Sequence, residues 1–444
     1  MRFDQRLVLA CAALAVVAAG VLGCGSSSSP KSNTPGFEIT VVIGDSLSAG
    51  FQNGSLLDSQ QPNGFASLIA KQGGFNMVLP LIAPPGAPAV LQLISLGPPP
   101  VIEPESWTSQ GRENPTAQNY DLAVPGHTLN DLINTTPVLV PTTGQELLTS
   151  AVLALPLSIP RTQLQAAIFL KPTALFLWIG NNDALNAAFA GTPAAMTPVS
   201  AFTSEYQQLI AALHSQTKAK LIIANIPDVT EVPYLTPAAE IIGEVSAASG
   251  LPAPVVSALL GIQPGDLVNA TGLAEVESAV AALKQGQRPT PLTDDGFLDA
   301  AEIAQVQSTV TQYNAVIAQQ VTAARDIQID IHTYFENLSQ NGITINNYPA
   351  TTGFLGGLFS LDGIHPTNTG YALIANQYIT AINAGMNTNI TPVDVSSVAS
   401  SDPLFGPNIK PIGSVAHIPV AAARQADKAI SGRANFTLSP QVRR

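Results

Sequence analysis

The sequence of 444 residues has almost no cysteine: Cys11 and Cys24 are the only two, and both lie near the start. Beyond residue 24 there is therefore no disulfide framework, no thiolate metal site and no cysteine nucleophile. Charge is scarce as well. Only 11% of residues are charged, and 30 acids against 18 bases leave a net charge of -12. Such a chain repels phosphate backbones, which argues against nucleic acid as a partner. There is no P-loop, no GxGxxG and no internal repeat, and the missing G-x-S-x-G elbow argues against an α/β-hydrolase. Aromatics are sparse at 6%, but hydrophobic residues reach 46%, enough for a sizeable core in one large domain with insertions or in two ordinary ones. Thirty-four glycines and 36 prolines point to long connecting segments.

Residues 1–24 have the layout of a targeting signal. Arg2 and Arg6 form a short basic start, and Leu7 to Gly23 is an apolar run, marginal in length for a membrane span. Val21-Leu22-Gly23-Cys24 resembles the lipobox of bacterial lipoproteins, in which Cys24 is lipidated and begins the mature chain. That resemblance implies anchoring to a membrane in the bacterial cell envelope. Residues 25–36, rich in serine with two prolines, then read as a flexible tether.

From Phe37 the pattern changes. Apolar, β-branched runs at Phe37–Ile43, Tyr120–Val124, Ala174–Ile179, Leu221–Ala224 and Ile327–Ile331 predict five buried strands. Helical periodicity separates most of them. Thr203–Leu213 aligns Tyr206, Leu209, Ile210 and Leu213. Ala301–Arg325 aligns Val306, Val310, Tyr313, Ile317 and Val321, and Asn368–Asn383 aligns Tyr371, Ile374, Tyr378 and Ile382. Buried strands alternating with such helices predict an α/β fold, three layers α/β/α around a five-stranded parallel sheet of flavodoxin-like order. Ligand sites in such sheets lie at the carboxyl ends of the strands. The main body spans 37–388, with a proline-rich insertion at 76–117 and a helical one at 230–293, which either form a lid or add a packing layer away from the strand ends. Residues 389–444 form a C-terminal extension. From Ser401 on it carries Lys410, Arg424, Lys428, Arg433, Arg443 and Arg444 against Asp402 and Asp427, so it either folds back on the acidic body or trails as an arm.

Reactive-looking residues gather at those strand ends. Gly44-Asp45-Ser46-Leu47-Ser48 follows the first strand. Gly44 permits a tight turn and Ser46 sits where a helix opens, although most such serines only cap helices. A serine needs a base, and the base an orienting group. Of five histidines, His365 in Asp362-Gly363-Ile364-His365-Pro366 has an acid three residues upstream, which either steadies the imidazole or merely shapes the turn. Gly126 after the second strand and Asn182 in Gly180-Asn181-Asn182-Asp183 after the third are candidate oxyanion donors, or simply turn residues. His127 reads as a polar loop residue beside the site and His214 as a structural residue near a helix end. His332 and His417 lack metal-ligand spacing, and Asp45 and Asp183 read as loop-shaping. Asp295-Gly296 with Glu302 matches half of a calcium loop, but Pro291 and Thr293 occupy positions that require acids.

Taken together, these four blocks resemble the GDSL/SGNH hydrolase family over roughly residues 37–384. The resemblance implies the SGNH hydrolase fold. It implies a triad of Ser46, Asp362 and His365, an oxyanion hole made by Ser46 N–H, Gly126 N–H and the Asn182 side chain, and no cofactor or metal. The substrate it implies is a small-molecule, lipid or glycan ester, cleaved through an acyl-enzyme on Ser46. A carbohydrate O-deacetylase using the same residues, and a non-catalytic surface-binding lipoprotein, are the alternatives.

Overall fold

Val41, Val42 and Ile43 have nowhere to go but inside, and Thr40–Gly44 forms the first strand, β1, buried along its whole length. It lies parallel to β2 (Ala174–Trp178), followed by β3 (Lys220–Ala224) and β4 (Ile327–Ile329), all parallel and in that spatial order. This computed structural model describes residues 33–96, 100–105, 111–155, 158–409 and 418–430. The targeting segment with Cys24, most of the expected tether, and His417 lie outside the described residues.

Helices cover both faces, as strands buried on two sides require. On one face, Phe65–Gly73 (α1) and the long helix Asn368–Met386 (α2) pack together. Phe65 stacks on Tyr378 at 4.5 Å, and Phe176 and Trp178 of β2 meet Tyr378 at 5.9 and 6.4 Å. On the other face, Val199–Gln216 packs against Ala300–Ala324, where Phe202 lies 4.1 Å from Tyr313. Every residue that the three helical patterns aligned is buried. Glu302, half of the apparent calcium loop, instead completes a capping box with Asp299 at the start of Ala300–Ala324.

Among the described residues the sheet has four strands, not five. Tyr120–Val124 does run parallel along the outer side of β1, with Val42 N–H donating to Tyr120 O at 2.9 Å and Leu122 N–H to Val42 O at 2.9 Å. Only Val42 and Asp121 pair as bridge partners. The next pair is incomplete because Gly44 N–H turns to the side-chain Oε1 of Gln163 at 2.9 Å, although Val124 N–H still donates to Gly44 O at 3.1 Å. The Asp121 carboxylate also accepts from Ala123 N–H at 3.1 Å, a local turn-like contact that competes with extended pairing. Counting this segment as a frayed edge restores the expected order, second run beside first, then third, fourth and fifth.

The proline-rich insertion carries an antiparallel hairpin, Leu91–Ser95 with Val101–Pro104. The second insertion holds helices Ala238–Ser249, Ala253–Leu260 and Ala270–Lys284. The C-terminal extension folds back over its described part. Helix Val420–Ile430 packs against Val101–Pro104, Gly144–Leu153 and Ala270–Lys284, with Ala422, Ala423 and Ala426 buried.

Burial of Asp121 gives a testable pH signature. Desolvation pushes its carboxyl up to about 8, against the single hydrogen bond from Ala123. Between the unfolded value near 4 and about 8 the folded chain keeps a proton that the unfolded chain releases. Stability from this group is therefore greatest at low pH and falls as pH rises, by at most about 1.4 kcal/mol per pH unit, levelling off above about 8. Asp121→Asn keeps an oxygen for Ala123 N–H and removes that slope. Its melting temperature is expected to match the parent near pH 4 and to exceed it progressively up to pH 8.5. A constant offset across that range would refute the assignment.

Candidate active site

The turn that carries Ser46, which leads into further turns and not into a helix, is built by exclusion. A Cβ on Gly44 would stand 2.1 Å from Trp178 O and 2.6 Å from Ser48 Oγ, so only glycine ends β1 this way. Asp45 then shapes the turn: Oδ1 accepts from Leu47 N–H at 3.1 Å and Oδ2 from Asn181 Nδ2 at 2.8 Å. Burial pushes this carboxyl up to about 7, with Asn181 and Leu47 opposing. Ser46 follows, only 4% exposed, and its carbonyl accepts from Phe51 N–H at 3.1 Å.

Asp362 and His365 arrive on the loop between Phe359 and α2. Asp362 does both things its position allows. Its Oδ1 accepts from the backbone of Ile364 and His365, each at 2.9 Å, and its Oδ2 accepts from His365 Nδ1 at 2.9 Å and Gly54 N–H at 2.7 Å. Both side chains are 0% exposed. Burial alone would raise the Asp362 carboxyl, but the His365 charge and these hydrogen bonds outweigh it and hold it below its ordinary value. The bond to Oδ2 places the proton on Nδ1, so Nε2 carries the lone pair; Nε2 is buried and has no hydrogen-bond partner. No hydrogen bond joins Ser46 to His365 in this structure. The two blocks nevertheless meet on Phe51, whose ring lies 4.7 Å from the imidazole and whose carbonyl accepts from Tyr371 OH at 2.9 Å.

The third and fourth blocks come to the same edge. Gly126 has φ +80°, which favours glycine, and Val124 N–H donates to Gly44 O at 3.1 Å. Asn182, in the first turn of helix Asn181–Ala190, donates from Nδ2 to His127 O at 2.9 Å, leaving its second N–H free of that bond. Among the described residues the backbone N–H groups of Ser46 and Gly126 donate to no protein acceptor. Asp183 shapes the loop as expected, accepting from Leu129 N–H at 2.8 Å and Thr197 Oγ1 at 2.7 Å.

Other histidines divide as follows. His214 pairs with Asp326 at 2.8 Å at the end of its helix, and His332 Nδ1 contacts Ile226 O at 3.0 Å. His127 lies in a loop beside the site as expected but is fully buried, and desolvation pushes its pKa down to about 4. Its partners are Thr149 Oγ1 at 2.9 Å and Gln163 Nε2 at 3.0 Å. Sequence reading passed over Gln163, whose only visible mark is its place just after the cap Thr162. The returning C-terminal segment overlies the loop that carries Asp362 and His365. Ile418 Cδ1 would lie 2.9 Å from a Cβ on Gly363, and Gln425 Cγ 3.4 Å from one on Gly54.

A model of the family described as GDSL-like Lipase/Acylhydrolase matches residues 40–378, taking in all four blocks. No curated protein matches the chain. Solved structures similar to it include a lipase/acylhydrolase from Enterococcus faecalis, 14% identical, covering 80% of this chain and 99% of that one with a TM-score of 0.34. Another is LAE5, an alpha/beta hydrolase enzyme from the metagenome of Lake Arreo, Spain, 14% identical over 77% and 93% with a TM-score of 0.35. A third is phospholipase A1 from Streptomyces albidoflavus NA297, 13% identical over 78% and 98% with a TM-score of 0.32.

Proposed function

This chain belongs to the GDSL-like lipase/acylhydrolase family and is a carboxylic ester hydrolase, and we propose that it works through an acyl-enzyme on Ser46. The observation that carries the reading is the buried Asp362–His365 pair, whose unpaired Nε2 shares the Phe51 wall with the Ser46 turn. Ser46 Oγ attacks the ester carbonyl as its proton passes to Nε2. The oxyanion is held by Ser46 N–H, Gly126 N–H and the free N–H of Asn182. His365 then gives the proton to the departing alkoxide. A water, deprotonated at the same nitrogen, releases the acid and returns Ser46 to its resting form. Asp362 fixes the tautomer and stabilises the imidazolium.

The lipobox-like Val21–Cys24 supports a location on the bacterial cell envelope, with lipid on Cys24. Substrate class is tested by p-nitrophenyl esters of graded acyl length run beside acetylated glycans. Simple esters are expected to turn over. Acetate release from the glycans with no turnover of any simple ester would instead favour the O-deacetylase reading.

A further inference from the structure

Gln163 lies outside all four sequence blocks, yet its amide sits between two of them. It is the first residue of helix Gln163–Leu170 and is 0% exposed. Oε1 accepts from Gly44 N–H at 2.9 Å, while Nε2 donates to Gly44 O at 3.0 Å and to His127 Nδ1 at 3.0 Å. Both amide hydrogens are used. Turning the amide over would set its NH₂ against Gly44 N–H and its oxygen against the Gly44 carbonyl, so only one orientation is satisfied. That orientation leaves the lone pair of His127 on Nδ1 and the proton on Nε2, donated to Thr149 Oγ1, whose own hydroxyl donates to Gln145 O at 2.8 Å. Burial keeps the ring neutral.

The consequence is geometric. Gly44 stands two residues before Ser46, His127 directly follows Gly126, and His127 O holds Asn182 Nδ2 at 2.9 Å. One side chain therefore bears on the positions of all three donors. It also takes one donor, Gly44 N–H, out of the ladder between β1 and residues 120–124, where the Ser46 turn and the Gly126 loop diverge. Building on the Ser46 mechanism above, we infer that Gln163 is a positioning residue of the oxyanion hole, setting the spacing of its three N–H donors through Gly44 and His127.

The test compares Gln163→Met, similar in length but without these polar bonds, with Gln163→Glu, nearly identical in shape. Active sites are titrated to completion with a fluorophosphonate, so that kcat is counted per reactive Ser46. Small displacements of positioned groups cost up to about 100-fold in rate. Both variants are expected to lose about 10- to 100-fold in kcat per titrated site, with KM within about threefold. A purely structural role would reduce the titrated fraction and leave kcat per site unchanged. Nitrogen-15 spectra at pH 7 provide a second readout. His127 is expected to be neutral with its proton on Nε2 in the parent, and doubly protonated in Gln163→Glu, where a carboxylate oxygen faces Nδ1. Parent-like kcat per site in either variant, or a parent His127 protonated on Nδ1, overturns the inference; if the methionine variant does not fold, the glutamate variant and the parent spectrum decide. Failure of the parent itself to label at Ser46 would sink the mechanism beneath it, a distinct outcome.

Discussion

Alanine in place of Ser46 is expected to lower kcat by about 10⁴–10⁶-fold, by analogy with the loss seen when a serine-protease triad loses its nucleophile. The fold should survive. Ser46 Oγ makes no hydrogen bond among the described residues, so its removal strands no buried partner, and a change in stability within about 0.5 kcal/mol is expected. Steady-state hydrolysis of a p-nitrophenyl ester together with thermal unfolding reads both quantities. A variant as active as the parent removes Ser46 from the mechanism. A variant that unfolds leaves the role to be read from active-site labelling of the parent.

Asp362→Asn is expected to cost about 10⁴-fold in kcat, again by analogy with triads in which the orienting aspartate becomes asparagine. Its geometry explains why so small a change matters. Each carboxylate oxygen accepts from two N–H groups, Oδ1 from Ile364 and His365 backbone and Oδ2 from His365 Nδ1 and Gly54. An amide in either orientation sets its NH₂ against two donors. Facing the backbone, it disrupts the turn that carries His365. Facing the ring, it drives the imidazole to the tautomer with its proton on Nε2, where it cannot accept the Ser46 proton. Because the site is fully buried, no water relieves the clash, and a lower melting temperature should accompany the lost rate. A loss under tenfold would mean that Asp362 only shapes the loop.

Much of this was readable without coordinates, for local reasons. The Asp362–His365 pair spans three residues, so one loop turn suffices to join them. The long helices announced themselves because strict periodicity such as Val306, Val310, Tyr313, Ile317 and Val321 has few other uses. What stayed hidden depended on distant contacts. Tyr120–Val124 has a strand's composition, but the side chain of Gln163, 119 residues beyond Gly44, takes the donor that would complete its pairing. His127 lies in a loop, as its neighbours suggest, but its burial cannot be seen from a neighbouring glycine. Helix Val420–Ile430 buries alanines, whose weak hydrophobic contrast gave the C-terminal segment no visible period.

The account turns on Ser46 being an activated nucleophile, and covalent trapping tests that most directly. Intact protein is treated with a fluorophosphonate and then mapped by peptide mass spectrometry. One adduct per chain on the peptide containing Ser46, absent in Ser46→Ala, is the result expected. No adduct under conditions where esters are hydrolysed, or an adduct on another residue, would contradict it.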